Sequence, residues 1–417
     1  MSVNTTNEAD WMIMMPNVET MDLVSASNTT LVVNEGIIPL TNSTNTVTTS
    51  FMIPIVGSNF NDILTGGFGN YYMDGAGGYD ILDYSTLGQQ ITLGAQGFID
   101  KGLAGLDQAA NVEAIVAPVG FFNLIDGSTA GFNAALNVNL TTNSLQVAFT
   151  NGFALNFDIF NFVDVIGTSQ DDSLIGNSAS NLFISGAGND YMGGSQGFDT
   201  LVGGSGYDIV DYSLLNQAIT LGSEGLIDKG LLGIDQASDV EAIIAPSGFF
   251  NVIDGTTANG TAALNVNLST NSLQVSLASG FSLDFDVFNF VDVMGTNQND
   301  VIIGNSTDNI LFGAAGNDYV GDFQGFDTLV GGTGSDIFAV ADSLTVGYLG
   351  NSFATIADWN PFEDFLAINS TFSGSYSLGT GQISGGLAPD TLLFFGNDLV
   401  AVIQDSTTIS ATNILFA

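Results

Sequence analysis

A nine-residue repeat dominates the chain and constrains its fold. From Gly167 the chain reads GTSQDDSLI, GNSASNLFI, SGAGNDYMG, GSQGFDTLV and GGSGYDIVD. From Gly295 it reads GTNQNDVII, GNSTDNILF, GAAGNDYVG, DFQGFDTLV and GGTGSDIFA, and a shorter block from Gly57 reads GSNFNDILT, GGFGNYYMD and GAGGYDILD. The sixth position is mostly aspartate, the eighth is a large apolar residue, and the first and fourth are often glycine. Repetition at a fixed short period predicts a solenoid whose coils stack on their neighbours.

Each nonapeptide combines a tight turn with a short strand. Glycine permits positive φ, so the chain can turn sharply with its carbonyl groups pointing inward, while the apolar eighth residue points into the core from the strand. Two nonapeptides make one flattened coil, so turns on the same edge recur at every second repeat and stack at roughly 4.8 Å. Backbone carbonyls and aspartate carboxylates are hard oxygen ligands, and several of them between two stacked turns would hold a Ca²⁺ ion. We therefore expect an all-β fold, a parallel β-roll or β-helix solenoid, that binds several calcium ions.

The repeat predicts which residues share an edge. The aspartates expected to bind calcium are the sixth-position residues Asp62, Asp80, Asp172, Asp190, Asp199, Asp208, Asp300, Asp318, Asp327 and Asp336. The backbone ligands expected are those of Gly167, Ser185, Ala187, Gly194, Gly203, Ser205, Gly295, Gly313, Ala315, Gly331 and Thr333. Asn181, Asn309 and Tyr71 stand at sixth positions in place of aspartate, and Ser185 and Asp322 stand in place of the first glycine. Calcium binding is expected to be weakest at those turns, and the edge with Tyr71 is expected to lack a full site.

The charge of the chain also favours a cation-binding fold. It has 43 acidic residues and two lysines, with no histidine, and a formal net charge of −41. Hydrophobic residues make up 45% of the sequence, enough to build a core, so bound cations are the natural way to offset the repulsion between carboxylates. The lack of a basic surface argues against nucleic acid as a partner, and no apolar run is long enough for membrane insertion. The first ten residues do not resemble a Sec signal peptide.

A second repeat, of 128 residues, organises the blocks. Residues 91–102 return at 219–230, so that Lys101 and Lys229 are one position seen twice. Alternating sequences such as Leu136-Asn-Val-Asn-Leu in the long inserts predict further solenoid strands rather than separate globular domains. The predicted divisions are an N-terminal cap or assembly segment (1–56), nonapeptide blocks (57–83, 167–211 and 295–346), solenoid inserts (84–166 and 212–294) and a β-rich C-terminal cap (347–417).

The nonapeptides resemble the RTX family, whose repeat reads Gly-Gly-x-Gly-x-Asp-x-apolar-x. GGSGYDIVD and GGTGSDIFA are the clearest matches, and the repeats account for less than a third of the chain. The resemblance implies a parallel β-roll, calcium-dependent folding and export by a type I secretion system. The alternating strands after Gly347 resemble the C-terminal module of cyanobacterial surface RTX proteins, which implies a cap that also carries an uncleaved secretion signal.

Structural and binding roles remain open, whereas catalysis is not expected. The chain has no histidine, cysteine or arginine, so the common nucleophile–base pairs cannot form, and its aspartates recur with the repeat as ligands do. We expect a secreted structural surface protein, such as an S-layer, sheath or fibre subunit that self-associates with calcium. The alternative is a secreted adhesin that binds cell-surface polysaccharide, or, less favoured, a polysaccharide-processing enzyme. The two lysines are expected to form local ion pairs, the alternative being a contact with the acidic face of another subunit.

Overall fold

The computed structural model describes residues 52–130, 134–258, 260–280, 282–383 and 388–416, together with strands at 3–4, 21–22 and 30–33. The chain divides into two compact units, Met1–Asp208 and Ile209–Ala417, and each is described by itself. Within the described residues the fold is all-β, with a few single turns of 3₁₀ helix and no α-helix. No helix in this part of the chain is long and apolar enough to cross a bilayer.

The first unit is built from short strands, most of them three to six residues long. Its 3₁₀ helices in the described residues are Gly102–Ala104 and Gly127–Ala130. Its strands there are β1 (Val3–Asn4), β2 (Met21–Asp22), β3 (Thr30–Val33), β4 (Ile53–Val56), β5 (Ile63–Thr65), β6 (Tyr71–Asp74), β7 (Ile81–Asp83), β8 (Thr92–Gly94), β9 (Phe98–Asp100), β10 (Leu106–Ala110), β11 (Ala114–Val116), β12 (Asn123–Asp126), β13 (Ala134–Asn139), β14 (Ser144–Phe149), β15 (Ala154–Phe160), β16 (Phe162–Ile166), β17 (Ser173–Ile175), β18 (Leu182–Ala187), β19 (Tyr191–Gly193) and β20 (Thr200–Ser205).

These strands form two sheets, and the chain alternates between them except at β8–β10 and β13–β15, where three consecutive strands lie in one sheet. The first sheet has the order β1, β3, β5, β7, β11, β15, β14, β13, β17, β19. The second has the order β2, β4, β6, β10, β9, β8, β12, β16, β18, β20. Within the nonapeptide blocks the pairing is parallel, and Ser173 lies opposite Tyr191, which gives a coil of 18 residues.

The second unit repeats this plan and extends it. Its 3₁₀ helices in the described residues are Gly230–Leu232, Gly255–Thr257, Ser373–Ser375 and Ala411–Asn413. Its strands there are β21 (Ile209–Asp211), β22 (Thr220–Gly222), β23 (Leu226–Asp228), β24 (Ile234–Ser238), β25 (Ala242–Ile244), β26 (Val252–Asp254), β27 (Ala262–Asn267), β28 (Ser272–Leu277), β29 (Ser282–Phe288), β30 (Asp292–Met294), β31 (Val301–Ile303), β32 (Ile310–Ala315), β33 (Tyr319–Gly321), β34 (Phe326–Thr333), β35 (Ile337–Ala339), β36 (Phe353–Ile356), β37 (Phe365–Ile368), β38 (Tyr376–Gly381), β39 (Asp390–Phe395), β40 (Asp398–Ile403) and β41 (Ile414–Phe416).

The C-terminal strands continue the solenoid before they close it. Strand β36 pairs in parallel with β34 and β40, and β37 pairs in parallel with β35 and β41, so two coils without the nonapeptide stack on the last block. Strands β38, β39 and β40 are then joined in antiparallel pairs. The β-rich cap expected from the sequence is therefore built partly from solenoid coils.

The core consists of the eighth-position side chains, as the repeat predicts. In the second block Leu174, Phe183, Met192 and Leu201 are at most 1% exposed. Each of these residues lies within a short strand and points inward. One residue in each nonapeptide thus supplies the apolar surface whose burial stabilises the coil.

The inserts belong to the same solenoid, as their strand patterns predict, but they also contain antiparallel strands that the repeat does not indicate. Leu136 and Val138 of β13 are buried and the strand pairs in parallel with β17 of the nonapeptide block. Strand β14 runs antiparallel between β13 and β15, and β9 does the same between β8 and β10. Each insert thus adds a three-stranded antiparallel excursion to each sheet.

The predicted N-terminal segment lies largely outside the described residues. Of residues 1–51 only the backbone of three short strands is described, and β3 pairs in parallel with β5. The role of this segment as a cap or an assembly element stays a prediction.

Candidate calcium-binding turns

Glycines bring the stacked turns into direct backbone contact. Gly206 has a φ of 142° and Gly334 has a φ of 138°. A β-carbon on Gly206 would overlap the carbonyl oxygen of Gly188 one coil away, and one on Gly334 would overlap that of Gly316. Only glycine fits at this spacing, and the result is a column of carbonyl oxygens along the edge.

The sixth-position aspartates form hydrogen-bonded ladders along the predicted edges. The backbone N–H of Asp300 donates to Asp318 Oδ1 at 2.8 Å, and that of Asp318 donates to Asp336 Oδ1 at 2.9 Å. The same bond joins the other stacked sixth positions, at 2.7–2.9 Å, in the pairs Asp62 to Asp80, Asp172 to Asp190, Asp190 to Asp208, Asn181 to Asp199 and Asn309 to Asp327. The pairing of residues along each edge agrees with the prediction, whereas their role as metal ligands stays a prediction.

In several of these residues one carboxylate oxygen accepts hydrogen bonds and the other has none. Within the described part of the chain, this applies to Asp62 Oδ1, Asp80 Oδ2, Asp190 Oδ2 and Asp318 Oδ2. All four side chains are at most 1% exposed. A buried carboxylate oxygen without a donor is costly, and a divalent cation that prefers oxygen ligands fits such a position.

Burial of these carboxylates shifts their protonation. Burial raises the pKa of Asp318 to about 7, with repulsion from Asp300 and Asp336 adding to the effect. Burial likewise raises the pKa of Asp80 to about 6, helped by the charge of Asp62. The calcium-free turns therefore resist holding their carboxylates ionised, which is the electrostatic reason a cation would stabilise them.

Side chains do not form the site by themselves. In the residues that the structure describes, no group of three or more acidic side chains could hold a metal ion alone. A calcium ion at these turns would therefore need backbone carbonyl oxygens as its remaining ligands. A β-carbon on Gly167 would overlap Ser185 O, and one on Gly295 would overlap Gly313 O, so these two carbonyl oxygens lie against the glycine of the neighbouring coil. Their role as ligands stays a prediction.

Three predicted backbone ligands also accept hydrogen bonds between coils. Ser205 O accepts from Gly188 N at 3.0 Å, Thr333 O accepts from Gly316 N at 2.9 Å, and Gly203 O accepts from Ser185 Oγ at 2.7 Å. A carbonyl oxygen has two lone pairs, so each keeps one for a metal ion.

The first aspartate of each long block is held differently. Asp172 Oδ2 accepts from Thr168 N at 2.6 Å, and Asp172 Oδ1 accepts from Leu136 N at 2.6 Å. Asp300 has the corresponding bonds with Thr296 and Leu264, also at 2.6 Å. The threonine after the first glycine thus caps these carboxylates, and we expect them to contribute less to calcium binding than the aspartates below them.

The ladders extend to residues that the nonapeptide does not mark. Asp336 N donates to Asp364 Oδ1 at 3.1 Å, Tyr71 N donates to Asp107 Oδ1 at 3.0 Å, and Asp80 N donates to Glu113 Oε2 at 2.8 Å. The 36-residue spacing of Tyr71 and Asp107, twice the coil length, is the sequence signal that could have revealed that pair.

Comparison with known proteins identifies the turns. A family model of the RTX calcium-binding nonapeptide repeat (4 copies) matches residues 55–82, 166–201, 193–211, 292–320 and 323–339. No curated protein matches the chain. Among 33 matching chains of solved structures is the extracellular lipase LipA from Serratia marcescens, at 15% identity and a TM-score of 0.19, with 61% of this chain and 40% of the lipase covered. The chain thus spans less than half of the lipase, and this likeness carries no argument about function.

The chain therefore carries RTX repeats in a parallel β-roll, and these repeats bind calcium. Such repeats are typical of secreted proteins. The matched segments include the aspartate ladders of all three nonapeptide blocks.

Proposed function

We propose that this protein is a secreted structural protein of the cell surface, an S-layer, sheath or extracellular fibre subunit, whose folding and self-association depend on Ca²⁺. One observation carries the proposal. The sequence has no arginine or histidine, and both of its lysines, Lys101 and Lys229, are 0% exposed. No basic side chain reaches the surface, so two copies that meet present carboxylates to each other, and calcium is the counterion that would let them associate.

Exposed apolar residues that recur with the 128-residue period support self-association. Leu103 is 101% exposed and Leu231, the same position in the second unit, is 104% exposed. Phe122 and Phe250 form a second such pair, at 67% and 73%. A single exposed leucine carries little information, but the same exposed residues in both units provide matching apolar contacts for a neighbouring copy.

The remaining parts of the proposal follow from the repeats. Export by a type I secretion system, with the signal in the C-terminal region, is what RTX repeats suggest. The proposal includes no catalytic step, since the acidic residues of the turns serve as calcium ligands.

A cleft in the first unit favours a second candidate, a calcium-dependent adhesin that binds polysaccharide. The cleft has a volume of about 420 Å³ and is lined by Tyr79, Glu113, Gln146, Asn156 and Asp158, among others. The Tyr79 hydroxyl donates to Asp158 Oδ2, and its ring is 40% exposed. An exposed aromatic ring beside amide and carboxylate groups suits the apolar face and hydroxyl groups of a sugar.

Electron microscopy of the purified full chain, with and without calcium, tests the proposal. We expect ordered filaments or sheets in calcium that dissolve in chelator. The double variant Leu103→Asp/Leu231→Asp should stay monomeric in calcium while keeping its strand content. Leu214→Asp is the control, because Leu214 is 87% exposed but has Thr86 at the corresponding position of the first unit.

Monomers in saturating calcium at every protein concentration would refute the structural role. Binding of soluble glycans that is lost in Tyr79→Ala would then support the adhesin.

A further inference from the structure

A lysine side chain occupies the edge of the solenoid where the nonapeptide lacks its aspartate. In the turn that begins at Gly66, Tyr71 stands at the sixth position. Lys101 Nζ donates to the carbonyl oxygens of Gly67 at 2.7 Å and Gly69 at 2.9 Å. It also donates to Asp107 Oδ1 at 2.6 Å. The ammonium group thus lies between a glycine turn and the carboxylate of the next coil, bound by two carbonyls and one aspartate.

We propose that this turn is a cation site filled by the chain itself, in which the Lys101 ammonium group takes the place of a Ca²⁺ ion. The ladder bond supports the comparison. Tyr71 N donates to Asp107 Oδ1 at 3.0 Å, just as Asp62 N donates to Asp80 Oδ1 at 2.8 Å in the facing ladder. Asp107 therefore takes the place in the next coil that a sixth-position aspartate takes in the nonapeptide blocks, and Lys101 is bound where Asp107 faces the carbonyls of the turn.

Charge explains why a lysine suits this position. A turn pair with two aspartates carries two negative charges, which a divalent ion neutralises. Tyrosine in place of one aspartate leaves a single negative charge, and one ammonium group balances it. The Lys101 and Asp107 side chains are both 0% exposed, and Lys101 Nζ lies 5.0 Å from the centre of the Tyr71 ring. The tyrosine thus removes a charge and covers the cation that remains.

The second unit contains the same pair. Lys229 Nζ donates to Asp235 Oδ1, and both side chains are 0% exposed. Tyr212 Oη donates to Asp235 Oδ2 at 2.7 Å, as Tyr84 Oη does to Asp107 Oδ2 at 2.9 Å. The two basic side chains of the 417-residue chain are thus each buried against an aspartate. The residue 128 positions after Tyr71 is Asp199, so the second copy of the long repeat keeps the lysine–aspartate pair without the tyrosine that replaces an aspartate in the first. This burial also rules out the alternative in which the lysines contact another subunit.

The inference divides the turns into two kinds, those that need calcium and those that do not. Turns with paired aspartates need calcium, whereas the turn at Gly66 is held by a cation that chelators cannot remove. Strands β9 and β10 of the first insert should therefore stay attached to β6 when calcium is withdrawn.

Restoring the nonapeptide tests the inference. In Tyr71→Asp/Lys101→Met the turn regains its aspartate and loses its ammonium group, and we expect the full chain to bind one calcium ion more than the wild type in equilibrium dialysis. The control Lys101→Met/Asp107→Leu removes both charges of the pair and should bind the same number of ions as the wild type. An unchanged ion count in the restored variant, or a restored variant that stays unfolded in saturating calcium, would overturn the inference.

A different observation carries a second inference, at the turn of the third block that has aspartate in place of its first glycine. Asp322 is 3% exposed, and its Oδ2 atom has no hydrogen bond among the described residues. Its Oδ1 atom accepts from Phe323 N at 2.5 Å. A β-carbon on Gly304 would overlap both Asp322 Oδ2 and Asn309 Oδ1, so these two oxygens face the same point between the coils.

We infer that Asp322 supplies a side-chain ligand to a divalent cation at this edge and compensates for Asn309. The second block shows the alternative. There Gly194 and Ser195 replace Asp322 and Phe323, and Ser195 Oγ bonds to Asp199 Oδ2 at 3.2 Å. In the second block the Ser195 hydroxyl therefore donates a hydrogen bond at this point. In the third block Asp322 Oδ2 lies there without a hydrogen bond to any described residue.

The second block therefore provides the test variant. Asp322→Gly/Phe323→Ser copies its sequence into the third block, and we expect the variant to lose one bound ion in calcium titration calorimetry. Asp284→Asn, an exposed aspartate on β29, controls for the lost charge. If the copied variant keeps the wild-type number of ions, Asp322 is not a ligand and its carboxyl group is held protonated instead.

Discussion

Asp318 lies between Asp300 and Asp336 in the aspartate ladder of the third nonapeptide block, and its replacement by asparagine isolates the contribution of calcium. Asp318 accepts from Asp300 N and donates its own backbone N–H to Asp336, so it borders two turn pairs. Asparagine keeps the Oδ1 acceptor and the size of the side chain while it removes the charge. The weaker hydrogen bond should cost about 1 kcal/mol.

The larger effect comes from calcium. If each of the two adjoining sites binds 10- to 100-fold more weakly, the loss at saturating calcium is about 1.4–2.7 kcal/mol per site. We therefore expect Asp318→Asn to lower the free energy of unfolding by about 3–5 kcal/mol in calcium. In calcium-free buffer the change should be close to zero, because relief of repulsion from Asp300 and Asp336 offsets the weaker hydrogen bond.

Thermal unfolding followed by circular dichroism measures the change in stability with and without calcium. Calorimetry during a calcium titration counts the bound ions. Asp284→Asn should stay within about 0.5 kcal/mol of the wild type in either buffer. Asp190→Asn repeats the test in the first unit, and Asp62→Asn, which borders one pair only, should show about half of the calcium-dependent loss. Equal destabilisation of Asp318→Asn with and without calcium would refute the reasoning, since the aspartate would then act through its hydrogen bond alone.

Two further predictions concern pH and backbone spacing. In the calcium-free protein, burial raises the pKa of Asp318 to about 7 and that of Asp327 to about 6. The folded state then binds more protons than the unfolded state between about pH 4 and pH 7, so its stability should fall as the pH rises through this window. Thermal unfolding after removal of calcium should show a higher melting temperature at about pH 5 than at about pH 8, and the reverse order would contradict the assigned shifts. Gly334→Ala should cost about 1–3 kcal/mol more than Gly350→Ala in chemical unfolding, because both have positive φ but only at Gly334 would a β-carbon meet the Gly316 carbonyl. Equal costs would mean that the stacked turns can separate.

The nonapeptide fixes the part of the fold that depends on local chemistry. An apolar residue at every ninth position predicts the buried row from Leu174 to Leu201, and the aspartate two positions earlier predicts the ladders. The antiparallel direction of strands β9 and β14 could not be predicted from the sequence, because alternating apolar and polar residues fit parallel and antiparallel pairing equally well. The partner of Lys101 was also hidden. Asp107 lies in a sequence with no glycine motif, so its 36-residue distance from Tyr71 is the one sequence signal for its place in the next coil.

The ladder bond recurs both in the nonapeptide blocks and at coil edges that lack the nonapeptide. Leu136 N donates to Asp172 and Tyr71 N donates to Asp107 across 36 residues, whereas Asp318 N donates to Asp336 across 18. The same bond therefore continues through regions without the nonapeptide, where the connection between neighbouring coils is longer. Since the bond uses only one carboxylate oxygen, the other must be balanced locally, and the chain does so in three ways. The Thr168 N–H caps Asp172 Oδ2, and the Tyr84 hydroxyl bonds Asp107 Oδ2 while Lys101 neutralises its charge. For Asp318 we propose that calcium is the balance. Whether a turn needs calcium therefore depends on the side chains around its ladder carboxylate. A single substitution there can replace a bound ion by a hydrogen-bond donor or an ammonium group, or the reverse.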